Sequence, residues 1–171
     1  MGVAAVSGPR GPAVSVIKPG MLTTVQDAGR WGYQARGVPV AGPMDPVSHR
    51  LANALVGNGR GAALLEITLI GPELEFEDER LVAITGAQFE LRLDGRAAPS
   101  QAPFTVCAGS RLRFGSRQLG ARAYLAVSGG IALAPMGNTL VAVTIATGRE
   151  AWRGPATAFS AAVAADGGVA E

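Results

Sequence analysis

A long loop at residues 23–45 holds the side chains whose types are best suited to chemistry. Its guanidinium, on Arg30, matches a carboxylate in shape and charge. Thr24 and Gln26 can donate hydrogen bonds to an oxygen that gains negative charge during a reaction. No helical or strand period runs through this stretch, and a structureless loop of about twenty residues inside a compact domain is usually functional. The sequence therefore predicts a loop for polar recognition.

Two aspartates of this loop have both a chemical and a structural interpretation. Asp27 and Asp45 could each accept a proton or anchor a substrate. Asp27 could instead pair with Arg30, and Asp45 could instead cap the helix that begins at Pro46. Both interpretations stay open at this level.

A third carboxylate stands among apolar residues outside the loop. Glu66 lies in the β-type run 65–70, and a buried carboxylate needs a partner. Glu66 is either a site residue or half of a buried pair with an arginine such as Arg122, and we favour the pair.

Two aromatic residues follow Arg30 in the loop. Trp31 and Tyr33, set beside arginine, have the composition of an interface anchor. We therefore predict that both contact a partner chain.

The elements that must position these residues are mainly short strands. A first strand is expected at 14–17, and the acidic run at 73–79 predicts a solvated sheet edge. The pair Asp94-Gly95 predicts a tight hairpin turn. Seven further β-type runs are separated by Gly, Pro and Asp signals: 65–70, 74–76, 81–85, 89–93, 104–106, 111–114 and 122–127. This spacing predicts a mainly antiparallel barrel or sandwich.

One short amphipathic helix interrupts the strands. Asp45 and Pro46 provide its first residues, and Gly57 ends it. Its apolar side is predicted to carry Val47, Leu51, Ala54 and Leu55, and its opposite side His49, Arg50 and Asn53.

Composition excludes several classes of function. A length of 171 residues suits one domain, and a net charge of +2 is too small for a nucleic-acid partner. No apolar run is long enough for a membrane span. One histidine and one cysteine cannot form a zinc site, so no metal is expected. Without a secretory signal, a cytoplasmic location is expected. Neither a phosphate-binding Gly-rich loop nor a Gly-x-Ser-x-Gly nucleophile motif occurs.

Several ordered blocks of this sequence resemble the biotin-dependent carboxyltransferase family, which includes allophanate hydrolase subunit 2 and the C-subunit of 5-oxoprolinase. The resemblance covers about residues 14–131. The blocks begin at residues 19–30, 37–39 and 42–45, and continue through 51–53, 55–58, 65–68, 85–87, 113–115 and 120–131. The candidate substrate-binding residues all lie in these blocks: Thr24, Gln26, Met44, Asn53, Glu66 and Arg122. Asp27, Arg30 and Asp45 form the candidate catalytic set.

The resemblance implies a cyclophilin-like antiparallel β-barrel with one short helix, incomplete relative to the family. It implies a bacterial hetero-oligomer in which this chain acts with a sister subunit of related fold and a third 5-oxoprolinase subunit. ATP would be used at the level of the complex to open 5-oxoproline to glutamate, a hydrolase reaction on a small amide that carries a carboxylate. Biotin would not be carried by this chain.

Three alternatives follow for function. The chain is a subunit of a 5-oxoprolinase-type complex, the carboxyltransferase component of urea carboxylase and allophanate metabolism, or a non-catalytic binding module or inactive truncated member. The family pattern stops after residue 131, and the alanine-rich end is unrelated to it. We therefore predict a disordered lead-in at 1–13, the barrel portion at 14–139 and a divergent tail at 140–171 that lacks order.

Overall fold

The computed structural model describes residues 14–129 in full, and the backbone of three further strands within 132–136, 139–144 and 149–155. The predicted lead-in at 1–13 lies outside the described residues, as do 145–148 and 156–171 of the predicted tail. Strands nevertheless occur within that tail, so its assignment stays a prediction.

Eight strands and one helix within residues 14–129 form a curled sheet and its covering helix. The strands of the first half are β1 (Val14–Lys18), β2 (Leu22–Gln26), β3 (Leu64–Thr68) and β4 (Glu73–Phe76). Those of the second half are β5 (Arg80–Leu93), β6 (Arg96–Ala97), β7 (Pro103–Val106) and β8 (Arg111–Val127). Between β2 and β3 lie a short 3-10 turn, Gln34–Arg36, and helix α1, Pro46–Leu55.

The sheet is antiparallel and centred on β8. Its strands follow the order β1-β4-β8-β3-β2, and β5 pairs with β8 along most of its length while also binding β6 and β7. The sheet curls into half of a barrel, which confirms the mainly β fold predicted from the sequence. Three further strands, β9 (Ala132–Met136), β10 (Thr139–Thr144) and β11 (Arg149–Pro155), form a separate sheet in the order β11-β10-β9.

Two long strands, β5 and β8, replace four of the short strands that the sequence predicts. Gly86 and Gly120 suggest breaks, yet they lie at irregular pairing within the continuous β5–β8 ribbon. At Gly86, φ is +81° and an added Cβ would lie 2.6 Å from the carbonyl oxygen of Arg122. At Gly120, φ is +77° and an added Cβ would lie 3.0 Å from Ala87. Glycine therefore allows the ribbon to bulge without ending.

The two faces of the sheet bury different side chains. One face holds the main apolar core, which includes Phe76, Ile84, Leu112 and Leu125. The other face packs against α1 through a smaller cluster: Ala52, Val56, Leu64, Ala83, Tyr124 and Ala126. Alternate residues of each strand thus serve the core and the helix.

Helix α1 begins as predicted but faces the opposite way. Asp45 caps it and Pro46 is its first residue. The predicted distribution of its faces is wrong, because His49, Ala52 and Asn53 are buried while Val47 is 74% exposed. The cause is local: small Ala52 allows close approach to the sheet, and the polar side chains on either side of it bind backbone carbonyls.

Two further expectations are corrected by the sheet. Strand β2 includes Thr24 and Gln26, so the loop begins at Asp27 and not at residue 23. Strand β4 is interior, between β1 and β8, and not an edge. Its acidic side chains are instead paired: Glu73 lies 3.3 Å from Lys18 and Glu75 lies 2.6 Å from Arg111.

The hairpin turn at Asp94 is confirmed. Asp94 and Gly95 both have positive φ, +51° and +80°, as a type I′ turn requires. No helix in the described part of the chain has the length and apolar character needed to cross a membrane.

Candidate functional site

A row of four directly paired residues crosses four neighbouring strands. Thr24 on β2 pairs with Glu66 on β3, Glu66 with Tyr124 on β8, and Tyr124 with Thr85 on β5. Directly paired residues of neighbouring strands point to the same face of a sheet. Because Tyr124 packs against α1, the row lies beneath the start of that helix.

Glu66 is the centre of this row and is buried, with only 3% of its side chain exposed. Its Oε1 accepts a hydrogen bond of 2.6 Å from Arg122 Nη1. Its Oε2 accepts one of 2.9 Å from the Tyr124 hydroxyl and one of 2.9 Å from the Met44 backbone N–H. All three partners are donors, as an ionised carboxylate requires. The favoured sequence interpretation, a buried pair with Arg122, is therefore present in the structure.

Tyr124 connects this carboxylate to the start of the helix. Its hydroxyl accepts a hydrogen bond of 2.7 Å from the Asp45 backbone N–H while donating to Glu66. Burial raises the pKa of Tyr124 well above its usual range, with further contributions from Glu66. The phenol therefore stays protonated at physiological pH and fixes the end of the loop to the sheet.

The next row along the same face is more open. Leu22, Thr68 and Arg122 pair directly across β2, β3 and β8. Arg122 Nη1 also donates to Thr68 Oγ1 at 2.9 Å, and the arginine side chain is 31% exposed. Among the described residues, its Nε and Nη2 donate to no protein acceptor. This edge of the guanidinium has the fork geometry that binds a carboxylate through two parallel hydrogen bonds.

Asp45 acts as the cap of α1. Its Oδ1 accepts from the backbone N–H groups of Val47 and Ser48 at 3.0 and 3.1 Å, and its Oδ2 accepts from Ser48 Oγ. The Ser48 hydroxyl is the main cause that lowers the pKa of Asp45. The structural interpretation of Asp45 is thus present, while its proton-accepting role stays a prediction.

His49 lies one turn later and faces the sheet. It is 1% exposed, and its Nε2 lies 3.2 Å from the Gln26 backbone oxygen, where a ring protonated at Nε2 donates. Burial lowers the pKa of His49. Its ring meets that of Tyr124 edge-on at a centroid distance of 6.4 Å. His49 therefore joins α1 to the end of β2 as a neutral residue.

Asn53 ties the other end of α1 to the turn that follows it. Its Nδ2 donates to the Ala62 backbone oxygen at 2.8 Å, and its Oδ1 accepts from Asn58 Nδ2 at 3.1 Å. Asn58 in turn binds the end of β8 at the Val127 oxygen. These contacts account for both polar atoms of the Asn53 side chain, whose predicted substrate contact stays a prediction.

The base of the loop is a tight crossing of two backbone segments. Asp27 Oδ1 accepts from the Gly29 N–H at 2.8 Å, and the Arg30 N–H donates to the Val40 oxygen at 2.7 Å. A Cβ added at Gly29, where φ is +82°, would lie 2.8 Å from the Val40 oxygen. The Asp27 carboxylate therefore shapes the crossing.

Beyond this crossing the loop extends outward. Trp31 is 70% exposed and Tyr33 is 52% exposed, although Trp31 Nε1 donates to the Ala28 oxygen at 3.0 Å. Met44, where the loop returns, is 69% exposed. The exposure of both aromatic residues is compatible with a partner contact, which stays a prediction.

The structure thus brings together Thr24, Glu66 and Arg122 with the backbone of Met44 and Asp45. Gln26 joins them through its Nε2, which donates to Thr24 Oγ1 at 3.1 Å. The sequence analysis gave no role to Tyr124, which lies in the β-type run 122–127. The signal that could have revealed it is the same period of two that puts Glu66 on the helix-facing side of β3.

Two groups that commonly bind phosphate in proteins already have partners in the described part of the chain. Lys18 is the single lysine of the chain and pairs with Glu73, and the N–H groups at the start of α1 are bound by Asp45. These groups therefore do not fit the phosphates of ATP. Among residues 14–129, no group of three or more His, Cys, Asp or Glu is placed to hold a metal ion.

Comparison with known proteins places this arrangement in a family. Residues 36–148 match the carboxyltransferase domain, subdomain A and B, and this range extends past the predicted boundary at residue 139. Urea amidolyase of Saccharomyces cerevisiae is 45% identical over 120 residues, which cover 70% of this chain and 6% of that protein. The 5-oxoprolinase C-subunit of Escherichia coli is 44% identical over 123 residues, which cover 72% of this chain and 40% of that protein.

Solved structures agree with these matches. The urea carboxylase of Kluyveromyces lactis superimposes with a TM-score of 0.70 and 42% identity, over 75% of this chain and 12% of that one. The chain spans less than half the length of the relatives it matches, as expected for the N-terminal portion of the family sequence. The chain belongs to the carboxyltransferase domain family.

Proposed function

We propose that this chain serves in a 5-oxoprolinase-type complex, in the ATP-dependent opening of 5-oxoproline to glutamate, and that Arg122 binds the substrate carboxylate. The observation that carries the proposal is the Glu66–Arg122 pair. Glu66 is buried and holds Nη1 at 2.6 Å, while the partly exposed guanidinium has its Nε and Nη2 edge unused among the described residues.

Preorganisation is the physical reason to assign binding to this pair. A free arginine loses side-chain entropy when it binds a ligand, whereas Glu66 and Thr68 already fix this guanidinium. Glu66 is itself fixed by Tyr124 and by the Met44 N–H, so the guanidinium is bound to a carboxylate that is already in place. A substrate carboxylate would complete the second edge of the fork.

The neighbouring row suits the other end of such a substrate. Opening a lactam places negative charge on the carbonyl oxygen, which hydrogen-bond donors stabilise. The Thr24 hydroxyl accepts a hydrogen bond from Gln26, so its own hydrogen can be donated to a substrate oxygen. The proposal therefore assigns Thr24 and Gln26 to the carbonyl side and Arg122 to the carboxylate. Asp27, Arg30 and Asp45 stay candidates for catalysis.

The remaining chemistry is assigned to other chains of the complex. The proposal places nucleotide binding in a sister subunit or the third subunit, since Lys18 and the N–H groups at the start of α1 already have partners within this chain. Two relatives are named as the C-subunit of 5-oxoprolinase, and this naming supports a multi-subunit assembly. The proposal also assigns the assembly to the cytoplasm.

Co-expression with the sister and third subunits tests this function. The complex with the natural chain should release glutamate from 5-oxoproline only with ATP, and Arg122→Gln should raise the KM for 5-oxoproline by about tenfold or more. Arg113→Gln is the matched control, since Arg113 lies exposed on the same strand. Equal KM values for both variants would contradict the proposal, and Arg30→Ala tests the loop in the same assay.

A second candidate is the carboxyltransferase component of urea carboxylase. The 45% identity to Saccharomyces cerevisiae urea amidolyase supports it as directly as the 44% identity to the Escherichia coli 5-oxoprolinase C-subunit supports the first. Urea has no carboxylate, so this function would not need a carboxylate fork for its acceptor. Turnover of urea with bicarbonate and ATP, and none of 5-oxoproline, would favour it. Copurification without any turnover would favour a non-catalytic binding module.

A further inference from the structure

The turn that follows helix α1 contains the dipeptide Asn58-Gly59. Of the three asparagines in the chain, Asn58 is the one that precedes a glycine. An asparagine loses its side-chain amide when the backbone nitrogen of the next residue attacks its side-chain carbonyl carbon. Glycine favours this attack, because without a Cβ its backbone adopts the required conformation at little cost. The sequence therefore contains one asparagine well suited to deamidation.

Three hydrogen bonds hold the Asn58 side chain in the fold. Its Nδ2 donates to Asn53 Oδ1 at 3.1 Å and to the Val127 backbone oxygen at 2.9 Å. Its Oδ1 accepts from the Gly129 backbone N–H at 2.9 Å. The two backbone partners fix which side-chain atom is the nitrogen, since a carbonyl only accepts and an N–H only donates. Asn58 thus joins the end of α1 to the end of β8.

These bonds also oppose the attack on the Asn58 side chain. The Gly59 residue is exposed, and its N–H donates to no acceptor among the described residues, so the attacking nitrogen is not held elsewhere. The side chain of Asn58, in contrast, is directed toward α1 and β8. It must turn toward its own backbone before the reaction, which requires the three bonds to open. The rate of deamidation therefore follows the local opening of this turn.

Deamidation would place an acceptor where the structure needs a donor. In the aspartate product, the oxygen that replaces Nδ2 faces the Val127 oxygen and Asn53 Oδ1, with no hydrogen between these acceptors. Asn53 cannot reverse its amide without losing its bond to the Ala62 oxygen. The contacts that opened before the reaction therefore do not form again after it.

We propose that Asn58 is a covalent modification site, at which deamidation makes an opening of the turn after α1 permanent. The Gly59 nitrogen forms a bond to Asn58 Cγ, the Cγ–Nδ2 bond breaks, and the amide leaves as ammonia with the proton of the Gly59 N–H. Water then opens the succinimide ring to aspartate or isoaspartate. The modification releases the end of α1 from the end of β8, and it does not depend on the proposed substrate site.

Mass spectrometry of the peptide that contains Asn58 measures the reaction over several weeks at mildly alkaline pH. The natural chain should deamidate slowly when folded, and at least about tenfold faster in concentrated guanidinium chloride, because three hydrogen bonds protect the folded state. Asn53→Ala removes one of these bonds and should speed the reaction of the folded chain by about threefold or more.

Gly59→Ala is the matched control for the chemistry. A Cβ added at Gly59 meets nothing within 4 Å, so the fold accommodates it, whereas the added side chain hinders ring closure. This variant should deamidate more slowly than the natural chain, both folded and unfolded. If Asn53→Ala does not fold, the comparison of the folded and unfolded natural chain decides the outcome.

Asn58→Asp, which has the side chain of one product, tests the consequence. The backbone N–H groups of Val56 and Asn58 both donate to the Asn53 oxygen, and their hydrogen exchange should become at least about tenfold faster in this variant. Exchange at His49, near the start of α1, should stay unchanged. Asn58→Ala is the comparison, since it loses the bonds without adding a charge and should cause a smaller effect.

Four results would overturn the proposal. The first is an Asn58 that stays unmodified in the folded chain throughout the incubation, and the second is an equal rate in the folded and unfolded chain. The third is deamidation of Gly59→Ala as fast as that of the natural chain, since the reaction would then not pass through the ring. The fourth is unchanged hydrogen exchange at the end of α1 in Asn58→Asp.

Discussion

Replacing Glu66 by glutamine tests the polar row at its most buried point. The carboxylate accepts from Arg122 at one oxygen, and from Tyr124 and the Met44 N–H at the other. A glutamine amide has one acceptor oxygen, so its NH₂ group must face donors at one of these two positions. Glu66→Gln therefore loses at least one charged hydrogen bond and leaves a buried donor without an acceptor.

The expected loss can be estimated from these contacts. A hydrogen bond to a charged group contributes about 1.5–3 kcal/mol, and breaking a buried ion pair costs about 3–5 kcal/mol. Because the Arg122 side chain is 31% exposed, water can replace part of its contact. We therefore expect Glu66→Gln to lower the free energy of unfolding by about 2–4 kcal/mol.

Urea denaturation at pH 7, followed by circular dichroism, measures this loss. Glu75→Gln is the control, because Glu75 lies 2.6 Å from Arg111 in a solvent-exposed pair of similar geometry. Its unfolding midpoint should stay close to that of the natural chain, since exposed ion pairs contribute little. Equal midpoints for the two variants would refute the reasoning that burial makes the Glu66 contacts important.

Three further predictions concern the elements around this row. Gly86→Ala should lower the free energy of unfolding by about 2–4 kcal/mol, because φ is positive and the new Cβ would lie 2.6 Å from the Arg122 oxygen. Gly95→Ala should lower it by only about 1 kcal/mol, because a Cβ there meets nothing within 4 Å. Equal midpoints of urea unfolding for the two variants would contradict this prediction. Asp45→Ala should lower the free energy of unfolding by about 1–2 kcal/mol at neutral pH. Because the Ser48 hydroxyl lowers the pKa of Asp45 in the folded chain, the difference in stability between variant and natural chain should disappear as the pH falls through that pKa. A difference that stays constant down to acid pH would contradict this prediction. Burial lowers the pKa of His49, so the unfolded chain binds a proton at this residue before the folded chain does. The free energy of unfolding should therefore fall as the pH drops below about 6.5, by at most about 1.4 kcal/mol per pH unit. His49→Gln should remove this decline, and an unchanged pH profile in that variant would contradict the role of buried, neutral His49.

The local signals of the fold were readable from the sequence. Asp45 and Pro46 marked the start of α1, because an aspartate cap and a proline at the first position satisfy local geometry alone. Asp94 and Gly95 marked the hairpin for the same reason, since a two-residue turn needs positive φ at both positions. Such features depend on neighbours in the chain and therefore survive without tertiary information.

Features that depend on register and packing were not readable in this way. The orientation of α1 depends on carbonyl groups of Gln26 and Ala62 that lie outside the helix, and these contacts outweigh the apolar stripe. Gly86 looked like a strand break because a bulge and a turn share the same residue type. Similarly, the loop was predicted to begin at residue 23, within β2. Only pairing with β3 makes this segment a strand, and local sequence does not reveal that pairing.

The candidate site was predicted in part. Glu66 and Arg122 were identified as a possible pair because a carboxylate in an apolar run needs a partner, and the structure joins them. Tyr124 was not identified, because its role follows from being paired with Glu66 and Thr85 on neighbouring strands. Strand register decides which polar residues contact each other, and it cannot be read from the sequence directly.

The central claim is that Glu66 holds Arg122 ready for a carboxylate, and a titration of the chain with 5-oxoproline tests it most directly. Nuclear magnetic resonance of the arginine Nε–H groups reports on the guanidinium itself. We predict a saturable shift of the Arg122 signal that is absent in Arg122→Gln, weakened in Glu66→Gln and unchanged in Arg113→Gln, with no such shift on adding urea. An Arg122 signal that does not respond to 5-oxoproline would contradict the claim.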